Sequence, residues 1–137
     1  LGYDTSRERI VHFGGVNIDG TYARDTWEWD GNAWEQVTNM GPAARAAHAM
    51  TGTSGATLLF GGVAPVVANT PRELFRDTWT WEGEYWHQRQ DIGPSPRVWS
   101  ASSWDDARGR GVLFGGGTLV AENLTYLNDT WESFETA

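Results

Sequence analysis

The chain has 137 residues, 39% hydrophobic and 20% charged, which suits one packed domain and argues against wholesale disorder. Ten basic against 18 acidic side chains leave a formal net charge of −8, a poor match for nucleic acid or anionic membrane, whose phosphates need a positive field. Cysteine is absent, which excludes disulfides, thiolate metal sites and cysteine nucleophiles, and no run nears the ~20 apolar residues that span a bilayer.

Nine Trp and 17 Gly point to short strands joined by tight turns. In chain order, Leu1 to Asp4 read as the tail of a strand, and Phe13 closes a second strand at Gly14-Gly15. Val16 to Arg24 read as a long variable loop, with a turn at Asn17-Ile18-Asp19-Gly20. Asp25-Thr26-Trp27 with Trp29 opens a third strand, and Asp30-Gly31 is a hairpin signal, because glycine accepts the positive φ of a primed turn. Trp34 and Gln36 mark a fourth strand, and Gly41-Pro42 punctuates before the pattern begins again.

The second unit runs the same way. Arg45 to Met50 is a first strand, Thr53-Ser54-Gly55 a turn, and Thr57-Leu58-Leu59-Phe60 a strand buried on both faces and closed by Gly61-Gly62. A loop from Val63 to Arg76 follows. Trp79 and Trp81 then alternate with Thr78 and Thr80, the period of a strand. Glu82-Gly83 turns the chain into a fourth strand at Tyr85 to Gln88. In the third unit Phe114-Gly115-Gly116 and Asp129-Thr130-Trp131 return, with Gly117 to Asn128 as the loop between them.

The units are a true repeat. Asp-Thr-Trp recurs at 25, 77 and 129, an offset of 52 both times, and Trp29/Trp81, Trp34/Trp86, Gly41-Pro42/Gly93-Pro94 and Arg45/Arg97 share that offset. Four antiparallel strands per ~50 residues is one propeller blade. Units fall at about 1–40, 41–92 and 93–137, the last incomplete, because its fourth strand is missing. Three open blades leave strand edges unpaired, so the array is expected to be part of a larger closed propeller, or to complete a ring with other chains.

These landmarks resemble those of kelch-repeat proteins, with wording close to the bacterial branch. The carriers are Gly14, Gly15, Gly61, Gly62, Gly115 and Gly116 after the second strands, the third-strand aromatics Trp27, Trp79 and Trp131, the following Trp34 and Trp86, and the blade-opening Arg45 and Arg97. The resemblance implies an all-β propeller of about three four-stranded blades. It is weak for function, since such propellers serve many roles. Export to the cell surface or medium is expected by analogy with bacterial kelch arrays.

The recurring indoles, Trp29 and Trp81 among them, are expected to fill space between blades. In up-and-down blades the three long loops share one face, where binding usually resides. Arg45 and Arg97 open the innermost strands on that face. Arginines at the matching place in kelch adaptors clasp acidic motifs, so the resemblance makes both ligand candidates; the competing reading pairs them with local carbonyls or with acidic residues such as Asp25 and Asp77. Trp99 and Trp104 break the pattern, their counterparts being Ala47 and Gly52, and Trp99 shares strand parity with Arg97. Trp99 is the third candidate, for a sugar or peptide, against a competing role in packing.

His12, His48 and His87 lack the spacing of a metal site, and Asp105-Asp106 reads as a solvated turn. No catalytic motif is visible, so neither a metal nor a cofactor is expected, and the enzyme reading survives only as the noncatalytic half of a kelch-type enzyme. The sequence therefore indicates a noncatalytic module that offers a long-loop face to a protein segment or glycan, or one that self-assembles through open blade edges.

Overall fold

The computed structural model describes residues 1–90 and 93–134, for Phe134 the backbone only; the unit boundary expected at residue 92 and residues 135–137 lie outside the described residues. Eleven strands are present and no helix among the described residues. Gly2–Asp4 (β1), Arg9–Phe13 (β2), Thr26–Trp29 (β3) and Trp34–Thr38 (β4) form the first sheet, in sequential antiparallel order. Ala49–Gly52 (β5), Thr57–Phe60 (β6), Thr78–Trp81 (β7) and Trp86–Gln90 (β8) form the second in the same order. Ala101–Asp105 (β9), Arg110–Val120 (β10) and Asn123–Phe134 (β11) form a three-stranded third sheet with β11 at its edge.

The innermost strands β1, β5 and β9 adjoin one another, so the sheets stand as blades around one axis. Main-chain bonds stitch the blades near that axis. Gly15 N–H donates to Arg45 O at 2.9 Å, and Gly62 N–H repeats the bond to Arg97 O at 2.9 Å. The paired glycines are needed there: Gly61 has φ +70°, and a Cβ on it would lie 2.8 Å from Arg97 O.

Strand alternation decides how the first two blades mate. Thr26 and Glu28 face the second blade, whose Trp81 and Trp86 reach back across the gap. Trp81, only 1% exposed, donates through Nε1 to Glu28 at 2.7 Å. Trp86 Nε1 donates to Thr26 Oγ1 at 2.8 Å and its ring meets Phe13 edge-on at 5.3 Å. Glu28 is also forked by Arg7, with Nη2 to Oε2 at 2.7 Å, so this buried carboxylate is fully engaged. The indoles thus fill this inter-blade gap, as their recurrence suggests. Trp29, Trp34 and Trp131 do not follow: Trp29 and Trp34 pack on each other on the uncovered face of the first blade, Trp34 being 46% exposed, and Trp131, 42% exposed, borders the unfilled second gap.

Two turns differ from expectation. The segment Gly117 to Asn128 is no loop but the far half of a hairpin, in which Gly117 pairs with Tyr126 and Val120 with Asn123. Thr118-Leu119-Val120 and Leu124-Thr125-Tyr126 are strand formers, and the chain reverses at Ala121 and Glu122, both left-handed at φ 50° and 64°. A register shift between Phe114 and Gly116 joins this extension to the blade. The Asp30-Gly31 hairpin has the expected partners but a four-residue loop, because Asp30 Oδ1 accepts the N–H groups of Asn32 and Ala33 at 2.8 and 2.9 Å.

Trp81→Ala should destabilise the chain by about 3–5 kcal/mol, through the cavity it opens and the hydrogen bond Glu28 loses. Urea titration followed by circular dichroism measures this, and a change below ~1 kcal/mol contradicts the packing role.

Candidate functional site

The sequence candidates lie ahead of the innermost strands rather than in them, Arg45 four residues before β5 and Arg97 and Trp99 four and two residues before β9, on the side of the long loops. Arg45 and Arg97 are 0% and 1% exposed. Arg45 bonds Asp77 in bidentate fashion, Nη1 to Oδ1 at 2.6 Å and Nη2 to Oδ2 at 2.9 Å, and gives its other Nη1 proton to Gly61 O at 2.9 Å and its Nε proton to Ala43 O at 3.1 Å. The guanidinium also lies 3.9 Å from the centre of the Phe75 ring. Arg97 repeats the fork on Asp129 at 2.7 and 2.9 Å and spends its remaining donors on Gly115 O, Ser95 O and Ser95 Oγ.

These arginines therefore fasten each blade internally, tying the glycine exit of its second strand to the aspartate that opens its third. In this arrangement Arg97 has no N–H left for a ligand carboxylate, Arg45 has one, and neither reaches solvent. The ligand-clasp expectation fails for both, and the local-pairing reading describes them. The recurring Asp-Thr-Trp has the same cause: Trp79 Nε1 donates to Asp77 at 2.7 Å, as Trp27 does to Asp25 and Trp131 to Asp129 at 2.8 Å. Residues i and i+2 share a strand face, so the indole can hold the aspartate that grips the arginine. Burial pushes the Asp77 carboxyl up, but Arg45 and Trp79 outweigh it, and Asp77 titrates below the usual carboxylate range.

Trp99 behaves differently. It is 66% exposed, and its backbone is left-handed at φ 56°, as is its counterpart Ala47 at φ 58°. Its N–H donates to Ala47 O at 3.0 Å, so the strained backbone belongs to the stitching between blades. The indole is left standing on the rim, where the second blade carries only a methyl group. Val16, Ile18, Val66 and Val67, from the loops on the same side, are exposed as well.

His48 was read in sequence only for its lack of metal partners. Its ring leans edge-on against Phe13 at 5.8 Å, and its Nδ1 is buried without a hydrogen-bond partner among the described residues. Burial, reinforced by the Arg45 charge, lowers its pKa from 6.5 to about 4. No sequence signal marked this, because burial of one imidazole depends on how two blades meet.

With this geometry in view, comparison with known proteins bears on the fold alone. The architecture is that of an all-β, propeller-like array. No family model matches the chain, and no curated protein does. Among solved structures it is similar to YjhT, with a TM-score of 0.71 at 14% identity, over 89% of this chain and 38% of that one. The chain thus spans well under half the length of that structure.

His48 sets a pH dependence. A histidine whose folded pKa lies below its unfolded value binds more protons when unfolded, so its contribution is complete above about pH 6.5 and is lost as pH falls toward 4. The loss amounts to about 3 kcal/mol. Urea midpoints taken between pH 7 and 4 should fall accordingly, and His48→Gln should flatten the slope over that window; an unchanged slope contradicts the assignment.

Proposed function

We propose that the chain is a noncatalytic recognition module of the kelch-repeat type, which binds a protein segment or glycan at the rim formed by its long loops. The observation that supports it is Trp99: a large exposed indole, on rigid inter-blade backbone, where the repeat carries alanine. An indole face suits sugar rings and aliphatic or cationic side chains, and a rigid support limits the ordering cost of binding. With Arg45 and Arg97 committed to the scaffold, the recognition chemistry is apolar contact and stacking, rather than a clasp on acidic groups. Titration of a glycan and peptide panel by saturation-transfer NMR should find ligands whose signals Trp99→Ala weakens at least tenfold, about 1.4 kcal/mol, at unchanged thermal stability. Equal binding by the variant refutes the rim assignment.

A second reading, assembly with other copies, rests on a separate observation. The uncovered face of the first blade carries Trp29 and Trp34, with ring centres 5.7 Å apart and a 50° tilt, close to the 5.5 Å and 41° of Trp81 and Trp86. The uncovered face of the third blade carries Thr130 and Glu132, the repeat partners of Thr26 and Glu28. Arg108 holds Glu132 at 2.7 Å just as Arg7 holds Glu28. The two end faces thus repeat the two halves of the inner interface, which supports a head-to-tail contact that completes a ring with other chains. Sedimentation equilibrium should give a multiple of the 15.2 kDa chain mass, reduced to one chain by Trp29→Ala with Trp34→Ala. A monomer at high concentration rules assembly out.

A further inference from the structure

Trp104 departs from the repeat, and neither the rim nor the end faces use it. Strand register shows what it replaces. Tyr3 pairs with Ile10, Gly52 with Thr57 and Trp104 with Gly111, so the three residues hold one position on the innermost strands of successive blades. In the second blade that position must be glycine, because a Cβ on Gly52 would fall on the Tyr3 carbonyl. In the third blade the indole fits because its strand partner is Gly111, where even a Cβ would lie 3.9 Å from the ring. Trp81 and Trp86, which pack between blades, each give their ring N–H to a side chain. Trp104 is half-buried, and its ring N–H has no acceptor among the described residues.

Trp104 lines a concavity of about 710 Å³ where β1, β5 and β9 run into their turns, at the end of the axis opposite the long loops. All three blades contribute to it, and its volume falls within the ~300–1,000 Å³ of small-molecule sites. Thr5, Thr51 and Ser103 line it with hydroxyls that have no hydrogen-bond partner among the described residues. Beside them the Asp106 carboxylate is exposed and equally unpartnered, and no arginine lines the concavity among the described residues.

We propose that this concavity binds a neutral saccharide, with one face of a sugar ring on the Trp104 indole and its hydroxyls shared among Thr51, Ser103 and Asp106. Three features select that class. An indole face takes the C–H face of a pyranose, and its free N–H can meet a sugar oxygen. Side-chain hydroxyls donate and accept, as sugar hydroxyls do, while an ionised carboxylate accepts hydroxyl protons in strong hydrogen bonds. A carboxylate with no cation beside it repels phosphates and acidic sugars. The site is separate from the rim at Trp99, so either can fail without the other.

The test follows the indole N–H signals in proton–nitrogen correlation spectra of the full chain, with Trp104 assigned through Trp104→Phe. The probes are the methyl glycosides of glucose, galactose, mannose and N-acetylglucosamine, with glucuronic acid as the charged control. At least one neutral glycoside should shift the Trp104 signal saturably at millimolar concentration, and Trp99→Ala should leave that titration unchanged. Glucuronic acid should bind at least tenfold more weakly. Asp106→Asn, at an exposed side chain without partners, should keep the fold and weaken binding at least tenfold. The proposal is overturned if no neutral glycoside moves the Trp104 signal, if glucuronic acid binds as tightly as the neutral sugars, or if Asp106→Asn binds as the parent chain does. A response that disappears in Trp99→Ala belongs to the rim and overturns it as well.

Discussion

The structure depends on the burial of tryptophan between blades against a carboxylate that must remain paired. A propeller sheet is narrow, and four short strands cannot cover both of their own faces. Each blade therefore has to bury a face on its neighbour, and the wedge of space left between two twisted sheets widens outward. Trp81 and Trp86 fill that wedge between the first two blades. The indole N–H groups also find Glu28 and Thr26, so bulk and polarity are satisfied together. Glu28 is tolerable inside only because Arg7 and Trp81 both donate to it; removing either would leave a buried charge short of a partner.

A second constraint lies nearer the axis. Arg45 and Arg97 are buried cations, and each is neutralised by one aspartate and surrounded by carbonyl oxygens. Such pairs seldom add much net stability, but they are intolerant of alternatives. The fork geometry admits one placement of the glycine exit and one of the Asp-Thr-Trp strand, so the pair sets the register between a blade's first, second and third strands. The first blade has Asp25 and Trp27 in the same relation. The position 52 residues before Arg45 lies ahead of Leu1, and no ion pair joins Asp25 to a cation among the described residues.

Much of this was legible in the sequence, for a simple reason. A repeat reports the same physical requirement several times, so Gly-Gly, Asp-Thr-Trp and the trailing Trp stand out without any knowledge of the fold. Period-two alternation at Thr78 to Trp81 and the continuous apolar run at Thr57 to Phe60 mark strands β7 and β6 where they occur. What was not legible depends on neighbours. The arginines looked available because a sequence does not show which donors are already spent. The extension of β10 and β11 was hidden because its turn is Ala121-Glu122, with neither Gly nor Asn at the left-handed positions. The exposure of Trp34 and Trp131 follows from where the array is covered, which residue type cannot reveal. Trp99 and Trp104 both stand out as departures from the repeat; Trp104 is half-buried, and Trp99 is the candidate that the structure leaves open to solvent.

The two inter-blade gaps are built from the same template and filled unequally, and this divides the molecule mechanically. The first seam is dense and cross-linked by charge-assisted hydrogen bonds; the second is held mainly near the axis, by Gly62 N–H to Arg97 O and Ser102 Oγ to Met50 O. Cooperativity in stacked repeats passes from neighbour to neighbour through such seams. The first two blades therefore form one cooperative block, while the third is coupled to it through a narrow hinge line and opens at lower free energy. Amides of the third sheet should therefore exchange before those of the first two.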